Sequence, residues 1–585
     1  MPAIRLIEIR NFRGISELTW YPSSGLNCLI GPGDSGKSTV LAAIDYALGA
    51  RRNVPFSDAD FFRANVNTPI EITVTLGDIP DELLNLDRYG IFHRGYDTAN
   101  GTLYDEPQSN LETVVTIKLI VRNDLQPEWG LYSIRAAAEG IEKSVPWAQR
   151  ELIAPIKLDA TSDRHLAWGT RSLLNKLSDN TLDISGTLAE VARLTRTAFD
   201  KQPIQQFNPI LAQVKNIADR QGVQLGQLKA LLDVNGVSLN NGAVSLHNFD
   251  STPLRQLGTG STRLLVSGIQ YETSKSNIML IDEAEHGLEP FRITKLLNNL
   301  GAKAGTPQGQ VFITTHSPIV LRELQASQLW ILRKDESQSQ TAMTLPTNPA
   351  PAVAQLPLVK HVMYPASMAP GAQATLRSNA EAFFARKVLV CEGKTEIGLC
   401  RGLDLDNMDR NVPTWLEKGV AFADGAGDSM FERAEVFQTL GYPTAIFKDS
   451  DKSSQHAEHQ ARMAQKSIAV YEWGHNHSME TALFSFAGPT VIPMLLSVAL
   501  ERKGQESLDS NLRAHSNNNW DYTTCSNHFQ DEMRPVLSDL AGKKKWFKDI
   551  EPMETIGRKI VGPYRNYFAD YFQQVLTPMY QWLNA

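Results

Sequence analysis

The sequence predicts an α/β protein of several domains, and two separate groups of motifs lead to this prediction. The first is a glycine-rich loop, GPGDSGKS at 31–38, between an apolar strand and a helix. The second is the run VLVCEGKTE at 388–396, followed much later by the apolar strand 445–447, with Asp449 and Asp451 just past its end. A length of 585 residues leaves room for about three or four domains of ordinary size.

Composition places the chain among ordinary globular proteins. Apolar residues make up 42% and charged residues 21%, which excludes wholesale disorder, and no run is apolar enough to span a membrane. The N-terminus, MPAIRLIEIRNF, alternates like a strand and lacks the apolar core of a signal peptide, so we expect a cytoplasmic protein. The four cysteines are widely scattered and fit no metal-ligand spacing, so we expect reduced thiols.

The net charge of −7 gives no general attraction to nucleic acid. Binding to DNA must therefore depend on local basic patches and on divalent metal ions. Candidate patches are Arg51-Arg52 and 543–545, although such runs are more often only a solvated surface.

Strand and helix patterns surround the glycine-rich loop. The apolar run 25–30 predicts a buried strand, and a helix with apolar residues at helical spacing starts at Ser38 and ends before Gly49. The runs IEITVTL at 70–76 and TVVTIKLIV at 113–121 predict an antiparallel layer beside this nucleotide core.

The loop itself predicts an ATP site. Its backbone N–H groups are expected to bind phosphate oxygens, Lys37 to reach the β- and γ-phosphates, and Ser38 to bind Mg²⁺. The strand before the loop and the helix after it exclude most chance matches. The residues of the loop expected to bind ATP are Gly31, Pro32, Gly33, Asp34, Ser35, Gly36, Lys37, Ser38 and Thr39.

Two later strands end in residues that suit nucleotide hydrolysis. In NIMLIDE at 277–283, Asp282 is expected to hold Mg²⁺ and Glu283 to polarise the attacking water. The run VFITTHS at 311–317 places His316 where it can sense the γ-phosphate. Each motif alone is compatible with a structural role, and it is their order along the chain that makes the interpretation specific.

The segment LGTGS at 257–261 resembles the signature turn of the ATP-binding-cassette superfamily. Its long separation from the P-loop resembles the SMC and RecF-like branch, and EHGLEP at 285–290 resembles the D-loop. The resemblance implies that two protomers hold ATP between them in a head-to-head dimer. Gly258 stands where a serine that contacts the γ-phosphate is usual. The residues expected to bind ATP here are Gly260 and, in place of that serine, Thr259 or Ser261.

Acidic residues follow two strands of the second segment. Glu392 comes directly after an apolar strand, with Glu396 one helical turn further on, and Asp449 and Asp451 follow a later strand. Alternate residues at a strand end project to one side, so both aspartates can face Glu392. Four carboxylates converging there would repel each other unless Mg²⁺ or Mn²⁺ neutralised them.

A second metal ion is expected beside the first. Glu480 follows the strand-like run 468–471 and is the candidate ligand that completes this second site. Two metal ions about 3.5 to 4 Å apart would activate a water molecule and stabilise the leaving oxygen of a phosphodiester. Lys545 or Lys548 is a candidate for neutralising the transition-state charge, and a solvated basic turn is an equal alternative.

The pattern of EG followed by DxD resembles the Toprim fold of topoisomerases, primases and several nucleases. Together with the first segment, it resembles the overcoming-lysogenisation-defect (OLD) nucleases over nearly the whole chain. This resemblance implies an α/β multidomain protein: an ABC/SMC-like P-loop ATPase with a helical dimerisation insertion, followed by a Toprim α/β domain. It also implies metal-dependent DNA cleavage, ATP and Mg²⁺ as cofactors, a homodimer or larger homo-oligomer, defence against phage and, in some members, a helicase-like partner.

The motifs and the composition shifts between them divide the chain. The expected parts are an ATPase N-terminal part at 1–164, a helical insertion at 165–235, an ATPase C-terminal part at 236–336, a linker rich in Pro, Ala, Gln and Ser at 337–375, a Toprim domain at 376–500 and a helical C-terminal extension at 501–585.

Two other functions stay open at this point. One is a DNA-repair or DNA-tethering ATPase of the RecF/SMC type whose acidic cluster is a remnant, but the intact Glu392, Asp449 and Asp451 argue against it. The other is a defence effector that cuts RNA, because metal–carboxylate chemistry attacks either backbone. No tyrosine can be tied to a topoisomerase nick, so water is the expected nucleophile.

Overall fold

A computed structural model gives the architecture. It describes residues 2–50, 54–158, 277–305, 309–335 and 360–585, with isolated positions between 191 and 266. The chain divides into two compact units, the first with residues 1–155, 277–285 and 293–585 and the second with 156–276 and 286–292. The predicted helical insertion at 165–235 lies outside the described residues, apart from isolated positions, and so do Leu257 and Thr259 of the signature turn.

The strands in the described ranges fall into three sheets. In chain order they are β1 (Ala3–Phe12), β2 (Ile15–Trp20), β3 (Leu26–Ile30), β4 (Ile70–Gly77), β5 (His93–Asp97), β6 (Thr102–Tyr104), β7 (Glu112–Val121), β8 (Pro127–Tyr132), β9 (Ile156–Leu158), β10 (Ile278–Ile281), β11 (Gln310–Thr314), β12 (Leu329–Asp335), β13 (Lys360–Pro365), β14 (Lys387–Cys391), β15 (Val420–Asp424), β16 (Thr444–Lys448) and β17 (Ala469–Glu472).

Most helices of the described residues lie in the C-terminal half. In chain order they are α1 (Lys37–Leu48), α2 (Asp81–Leu84), α3 (Leu86–Tyr89), α4 (Ile134–Ala138), α5 (Trp147–Ile153), α6 (Pro290–Asn299), α7 (Pro318–Glu323), α8 (Ala372–Ser378), α9 (Lys394–Asp409), α10 (Met430–Thr439), α11 (Ala457–Gln465), α12 (Met479–Phe486), α13 (Ile492–Lys503), α14 (Gln505–His515), α15 (Tyr522–Asn527), α16 (Arg534–Lys543), α17 (Ile550–Ile556) and α18 (Asp570–Asn584).

The first sheet is the antiparallel layer that the sequence predicts. Its strand order is β2-β1-β4-β7-β5-β6, and β8 also pairs with β7. Strands β4 and β7 pair directly, which confirms the prediction from 70–76 and 113–121. The alternate residues Ile70, Ile72, Val74 and Leu76 are fully buried and share one core with the apolar face of α1. The layer therefore packs against the helix that follows the P-loop.

The second sheet carries the P-loop. Within the first unit its order is β13-β12-β3-β11-β10, and β3 is parallel to both of its neighbours. The P-loop consequently leaves the sheet from a central strand. Strands β10 and β11 are parallel and adjacent, so the residues that follow them emerge at the same edge as the P-loop.

The predicted linker contributes one strand to this sheet. Residues 337–359 lie outside the described part of the chain, but Lys360–Pro365 pairs antiparallel with β12, with Leu332 opposite Met363. The Pro- and Ala-rich composition of this stretch does not predict the strand, because the strand forms through backbone pairing with β12.

The third sheet has the order β15-β14-β16-β17, and all of its strands are parallel. Strands β14 and β16 are neighbours although β15 lies between them in sequence. The chain thus reverses its winding direction beside β14, and the carboxyl ends of β14 and β16 open into one crevice.

The C-terminal helices pack into the core of the third sheet. One buried cluster includes Leu389 of β14, Leu537 of α16 and Leu576 of α18. Helix α9 lies against α17, where a Cβ on Gly398 would come 2.5 Å from the Ile550 carbonyl oxygen. Only glycine allows this approach, which sets α9 firmly beside the C-terminal extension.

The four cysteines are buried and unpaired. This agrees with the expectation of reduced thiols.

Candidate functional sites

The P-loop joins β3 to α1 through residues with left-handed backbone. Gly31 has φ 140° and Gly36 has φ 95°, and Asp34 also lies in the left-handed region at φ 58°. A Cβ on Gly31 would come 2.5 Å from the carbonyl oxygen of Leu332 on β12. Glycine is therefore required at this position for both its conformation and its size.

Lys37 lies across the loop. Its Nζ donates hydrogen bonds to the carbonyl oxygens of Gly31, at 3.2 Å, and Pro32, at 2.9 Å. The side chain is buried, and burial lowers the pKa of Lys37, although the carboxylates of Asp34 and Asp282 oppose the shift. A partly desolvated ammonium group held over a glycine loop is well placed to bind phosphate oxygens.

Ser38 and Asp282 come together from distant parts of the sequence. The Ser38 hydroxyl donates to Asp282 Oδ1 at 3.0 Å. A hydroxyl and a carboxylate at this spacing are the two protein ligands that a nucleotide-bound Mg²⁺ uses in P-loop ATPases. Glu283, the predicted catalytic carboxylate, is exposed and has φ 49°.

Thr314, at the end of β11, joins these groups and was missed by the sequence analysis. Its hydroxyl donates to Asp282 Oδ1 and accepts from the backbone N–H of Glu283 at 2.9 Å. It therefore holds Asp282 and stabilises the left-handed backbone of Glu283. In the sequence, the only sign of a role for Thr314 is its position two residues before the predicted sensor His316.

Replacing Thr314 by Val is expected to slow ATP turnover about tenfold. Valine keeps the shape but removes both hydrogen bonds, a loss of about 1.4 kcal/mol in the alignment of Asp282 and Glu283. Steady-state phosphate release measures the effect. The matched control is Thr75→Val, which removes an equally buried hydroxyl that bonds to Thr116 Oγ1 in the antiparallel sheet. Equal loss of turnover in both variants would contradict the assignment.

His316 lies two residues after β11, and Glu285 holds its backbone. One carboxylate oxygen of Glu285 accepts from the Thr315 hydroxyl at 2.6 Å, and the other accepts from the His316 backbone N–H at 2.7 Å. The His316 side chain is exposed. Glu285, which the sequence places in the D-loop-like turn, thus fixes the backbone of the predicted γ-phosphate sensor.

The second unit contains the described part of the signature turn. Ser261 Oγ accepts a hydrogen bond from Arg292 Nη1 at 2.8 Å, and Arg263 donates to the His286 carbonyl oxygen. A Cβ on Gly260 would collide with the Gly287 carbonyl oxygen. The signature-like and D-loop-like segments therefore contact each other directly, and Ser261 is already engaged by an arginine.

The second site lies where β14 and β16 end. Glu392 follows β14, and its Oε2 accepts from the backbone N–H of Asp449, which follows β16, at 3.0 Å. Asp449 Oδ1 accepts from the backbone N–H of Met479 at the start of α12, at 2.8 Å. The two strand ends and the helix are thus joined through the proposed metal-binding carboxylates.

Glu396 projects into the same crevice from the first turn of α9. Its Oε2 accepts from the Gly393 backbone N–H at 2.9 Å, and the residue is 3% exposed. Burial raises the pKa of Glu396 to about 8, and the charges of Glu392 and Glu480 contribute. Burial also raises the pKa of Asp449, and Glu396, Glu392 and Glu480 add to this shift. The carboxylates are close enough to repel each other.

Glu480 completes the acidic group. It is buried in α12, and its Oε1 has no hydrogen-bond partner among the described residues. Burial raises the pKa of Glu480, and the charge of Lys548 opposes the shift. Of the two candidate lysines, Lys548 is thereby placed within electrostatic reach of the acidic group. Lys545 has an exposed side chain and left-handed backbone at φ 50°.

These residues suit a hard divalent cation. An orphaned buried carboxylate oxygen and mutually repelling carboxylates are both relieved by Mg²⁺ or Mn²⁺, which prefer oxygen ligands. In the part of the chain that the structure describes, no three His, Cys, Asp or Glu side chains already have the spacing of a formed metal site. Glu392, Glu396 and Asp449 accept backbone N–H bonds instead.

Lys448 is a buried residue that contacts the backbone of Asp449, and the sequence did not predict this role. It is fully buried, and its Nζ donates to the Asp449 carbonyl oxygen and to Glu472 Oε2, the latter at 2.8 Å. Glu472 Oε2 also accepts from Ser453 and Gln460, each at 2.8 Å. Burial alone would raise the pKa of Glu472, but these bonds and the Lys448 charge lower it.

Replacing Glu472 by Ala is expected to lower the free energy of unfolding by about 3 kcal/mol, because it leaves a buried ammonium group without its counter-ion. Denaturant titration measures this. As a control, Glu381→Ala removes the exposed ion pair with Arg322 and is expected to cost less than about 1 kcal/mol. Similar costs for the two variants would show that the buried pair adds no special stability.

The two sites are connected within the first unit. The His316 and Phe384 ring centroids lie 6.2 Å apart, and Phe384 is three residues before β14. From β12, Arg333 lies over the Tyr442 ring at 4.2 Å and donates to the Arg386 carbonyl oxygen at 2.7 Å. The strand ends of the ATPase sheet thus contact the segments that lead into the third sheet.

Fold and sites together define a P-loop ATPase joined to a Toprim domain. Residues 26–322, just over half of the chain, match the family model "AAA domain, putative AbiEii toxin, Type IV TA system". Residues 383–451 match "Overcoming lysogenization defect protein-like, TOPRIM domain". The chain belongs to the OLD family of ATPases with a C-terminal Toprim domain, as the sequence predicts. Such domains imply the use of a nucleotide and of a divalent metal ion.

Other similarities are short or distant. A 40-residue stretch is 52% identical to the DNA replication and repair protein RecF of Prosthecochloris aestuarii, and it spans 7% of this chain and 11% of that protein. The Smc head domain of Pyrococcus furiosus is 14% identical over 63% of this chain and 98% of its own, with a TM-score of 0.34. The SMC head domain of Thermotoga maritima is 12% identical over 56% and 94%, with a TM-score of 0.26. Likeness at these scores adds nothing to the family match.

In the described ranges, the structure contains no helix with the length and apolar character needed to cross a membrane.

Proposed function

We propose that this protein is an ATP-regulated nuclease that hydrolyses DNA phosphodiester bonds with divalent metal ions, in the cytoplasm, as a defence against phage. The observation that carries the proposal is the convergence of Glu392, Glu396, Asp449 and Glu480 at the carboxyl ends of β14 and β16. Neighbouring carboxylates raise the pKa of Glu396 and of Asp449, and groups with such shifts cluster at functional sites.

The acidic residues divide between two metal sites in this proposal. Glu392, Asp449 and the exposed Asp451 would hold one metal ion, and Glu396 and Glu480 would complete the pair of sites. Bound there, Mg²⁺ or Mn²⁺ would activate a water molecule and stabilise the leaving oxygen. Asp449 is oriented by its bonds to Glu392 and Met479, and Lys548 supplies positive charge beside Glu480.

ATP is proposed to act at the P-loop through Lys37, Ser38 and Asp282, with Glu283 and His316 at the γ-phosphate. The contact of His316 with Phe384 gives the nucleotide state a physical route to the segment before β14. The resemblance to ATP-binding-cassette proteins supports a homodimer in which the signature turn of one protomer caps the ATP of the other. A helicase-like or other defence partner belongs to the same proposal.

The test is incubation of purified protein with supercoiled, linear and single-stranded DNA, and with RNA, in Mg²⁺ or Mn²⁺, with and without ATP. We expect metal-dependent cleavage of at least one DNA substrate and none in EDTA. Cleavage of RNA alone would replace the proposal with an RNA-cleaving effector. ATP turnover without cleavage of any substrate would instead favour the DNA-repair or tethering ATPase.

A further inference from the structure

Lys452 and His456 direct two side-chain nitrogens at one carboxylate beside the acidic group of the third sheet. Lys452 Nζ lies 3.5 Å from Asp428 Oδ1, and His456 Nε2 lies 3.2 Å from the same oxygen. The Asp428 side chain is 67% exposed and that of Lys452 is 45% exposed. Two nitrogen donors thus converge on one carboxylate oxygen at the solvent-exposed edge of the site, which we call the rim.

Both arms of this cluster are tied to the proposed catalytic strands. Lys452 directly follows Asp451. Asp428 lies in the turn Gly427–Ser429 after β15, and the backbone N–H of Gly427 donates to the Glu392 carbonyl oxygen at 2.8 Å. The cluster is therefore held beside the acidic group, at the same carboxyl edge of the sheet.

His456 is fixed before any ligand arrives. It is 4% exposed, its ring packs edge-on against Phe431 with centroids 5.1 Å apart, and Phe431 in turn stacks on His459. Its Nδ1 is buried without a hydrogen-bond partner in the described part of the chain. With the rest of the ring enclosed, Nε2 is the atom presented to the rim.

We propose that Lys452 and His456 form a subsite for a phosphate of the DNA backbone next to the phosphate that is cut. The Asp428 carboxylate occupies this subsite in the free protein. This inference rests on the proposed function. A chain of net charge −7 with a buried acidic group repels DNA, so local cations must hold the backbone there. A phosphate oxygen accepts the same charge-assisted bonds as the carboxylate that it displaces.

The experiment measures binding of a short fluorescein-labelled DNA duplex by anisotropy, in EDTA and without nucleotide, over a range of salt concentrations. Lys452→Gln is expected to reduce the slope of log affinity against log salt by about one. Because affinities converge near 1 M salt, this corresponds to about tenfold weaker binding at 0.1 M. Asp428→Asn removes the competing charge and is expected to tighten binding about fivefold.

Lys466→Gln is the matched control. Its side chain is 43% exposed against 45% for Lys452, and it pairs with Glu435 at 3.1 Å rather than with the rim. It should leave both affinity and slope unchanged. The inference is overturned if the wild-type protein does not bind the duplex, or if Lys452→Gln binds it as tightly as wild type does. It is also overturned if Lys466→Gln loses as much affinity as Lys452→Gln, or if Asp428→Asn weakens binding. The binding assay needs neither metal nor cleavage, whereas the proposed nuclease is tested by whether the wild-type protein cleaves DNA. A failure of this inference can therefore be told apart from a failure of the proposed function.

Discussion

Asp449→Ala is expected to abolish DNA cleavage, by at least about a thousandfold, while ATP turnover stays nearly intact. Asp449 is the half-buried centre of the acidic group, and it links Glu392 to the N-terminus of α12. Its removal takes away a metal ligand and its negative charge together, a loss of about 4 kcal/mol in transition-state stabilisation. Cleavage and phosphate release are measured on the same preparation.

Folding should not be the reason for this loss. Burial and the neighbouring carboxylates raise the pKa of Asp449, so the charged form is disfavoured in the folded state and its removal relieves repulsion. The matched control is Asp409→Ala at the far end of α9, where the carboxylate pairs with Arg558 on the surface. Undiminished cleavage by Asp449→Ala, or equal loss in the control, would show that the chemistry lies elsewhere.

Lys37→Ala is expected to lower ATP affinity about a hundredfold and to abolish turnover. The ammonium group now bonds to the carbonyl oxygens of Gly31 and Pro32, and we expect it to exchange them for phosphate oxygens. Charge-assisted bonds of this kind are worth about 3 kcal/mol. Titration with a fluorescent ATP analogue measures affinity, and phosphate release measures turnover.

The control for this variant is Lys303→Ala, which removes a surface lysine paired with Glu323 at 3.1 Å. Retained ATP binding by Lys37→Ala would remove the P-loop from the nucleotide site. DNA cleavage by the same variant gives the direction of control. Increased cleavage means that ATP restrains the nuclease, and lost cleavage means that ATP activates it.

The sequence by itself determined the positions of the strands that precede the predicted site residues. Strands at 26–30, 278–281, 310–314, 387–391 and 444–448 all lie where apolar runs predict them. Apolar runs of strand length bounded by glycine or acidic residues are strong local signals. Parallel pairing then brings the residues after these strands to a common edge, so the predicted sites could be assembled without coordinates.

Some boundaries were decided by tertiary contacts. Helix α8 ends at Ser378, because the Asn379 side chain leaves the helix to pair with the backbone N–H and C=O of Asp424 on edge strand β15. Likewise, Lys360–Pro365 becomes a strand because β12 offers it a partner. Local propensity does not contain these long-range bonds.

Only the tertiary structure identified the residues that orient the predicted catalytic groups. Thr314, Lys448 and Glu472 are ordinary strand residues in the sequence, and Lys548 is indistinguishable there from Lys545. Their roles come from contacts between neighbouring strands and between sheet and C-terminal helices. Hydrogen-bond geometry and burial depend on distances between segments far apart in the chain. The sequence therefore predicted which groups do the chemistry, and the fold decided what holds them in place.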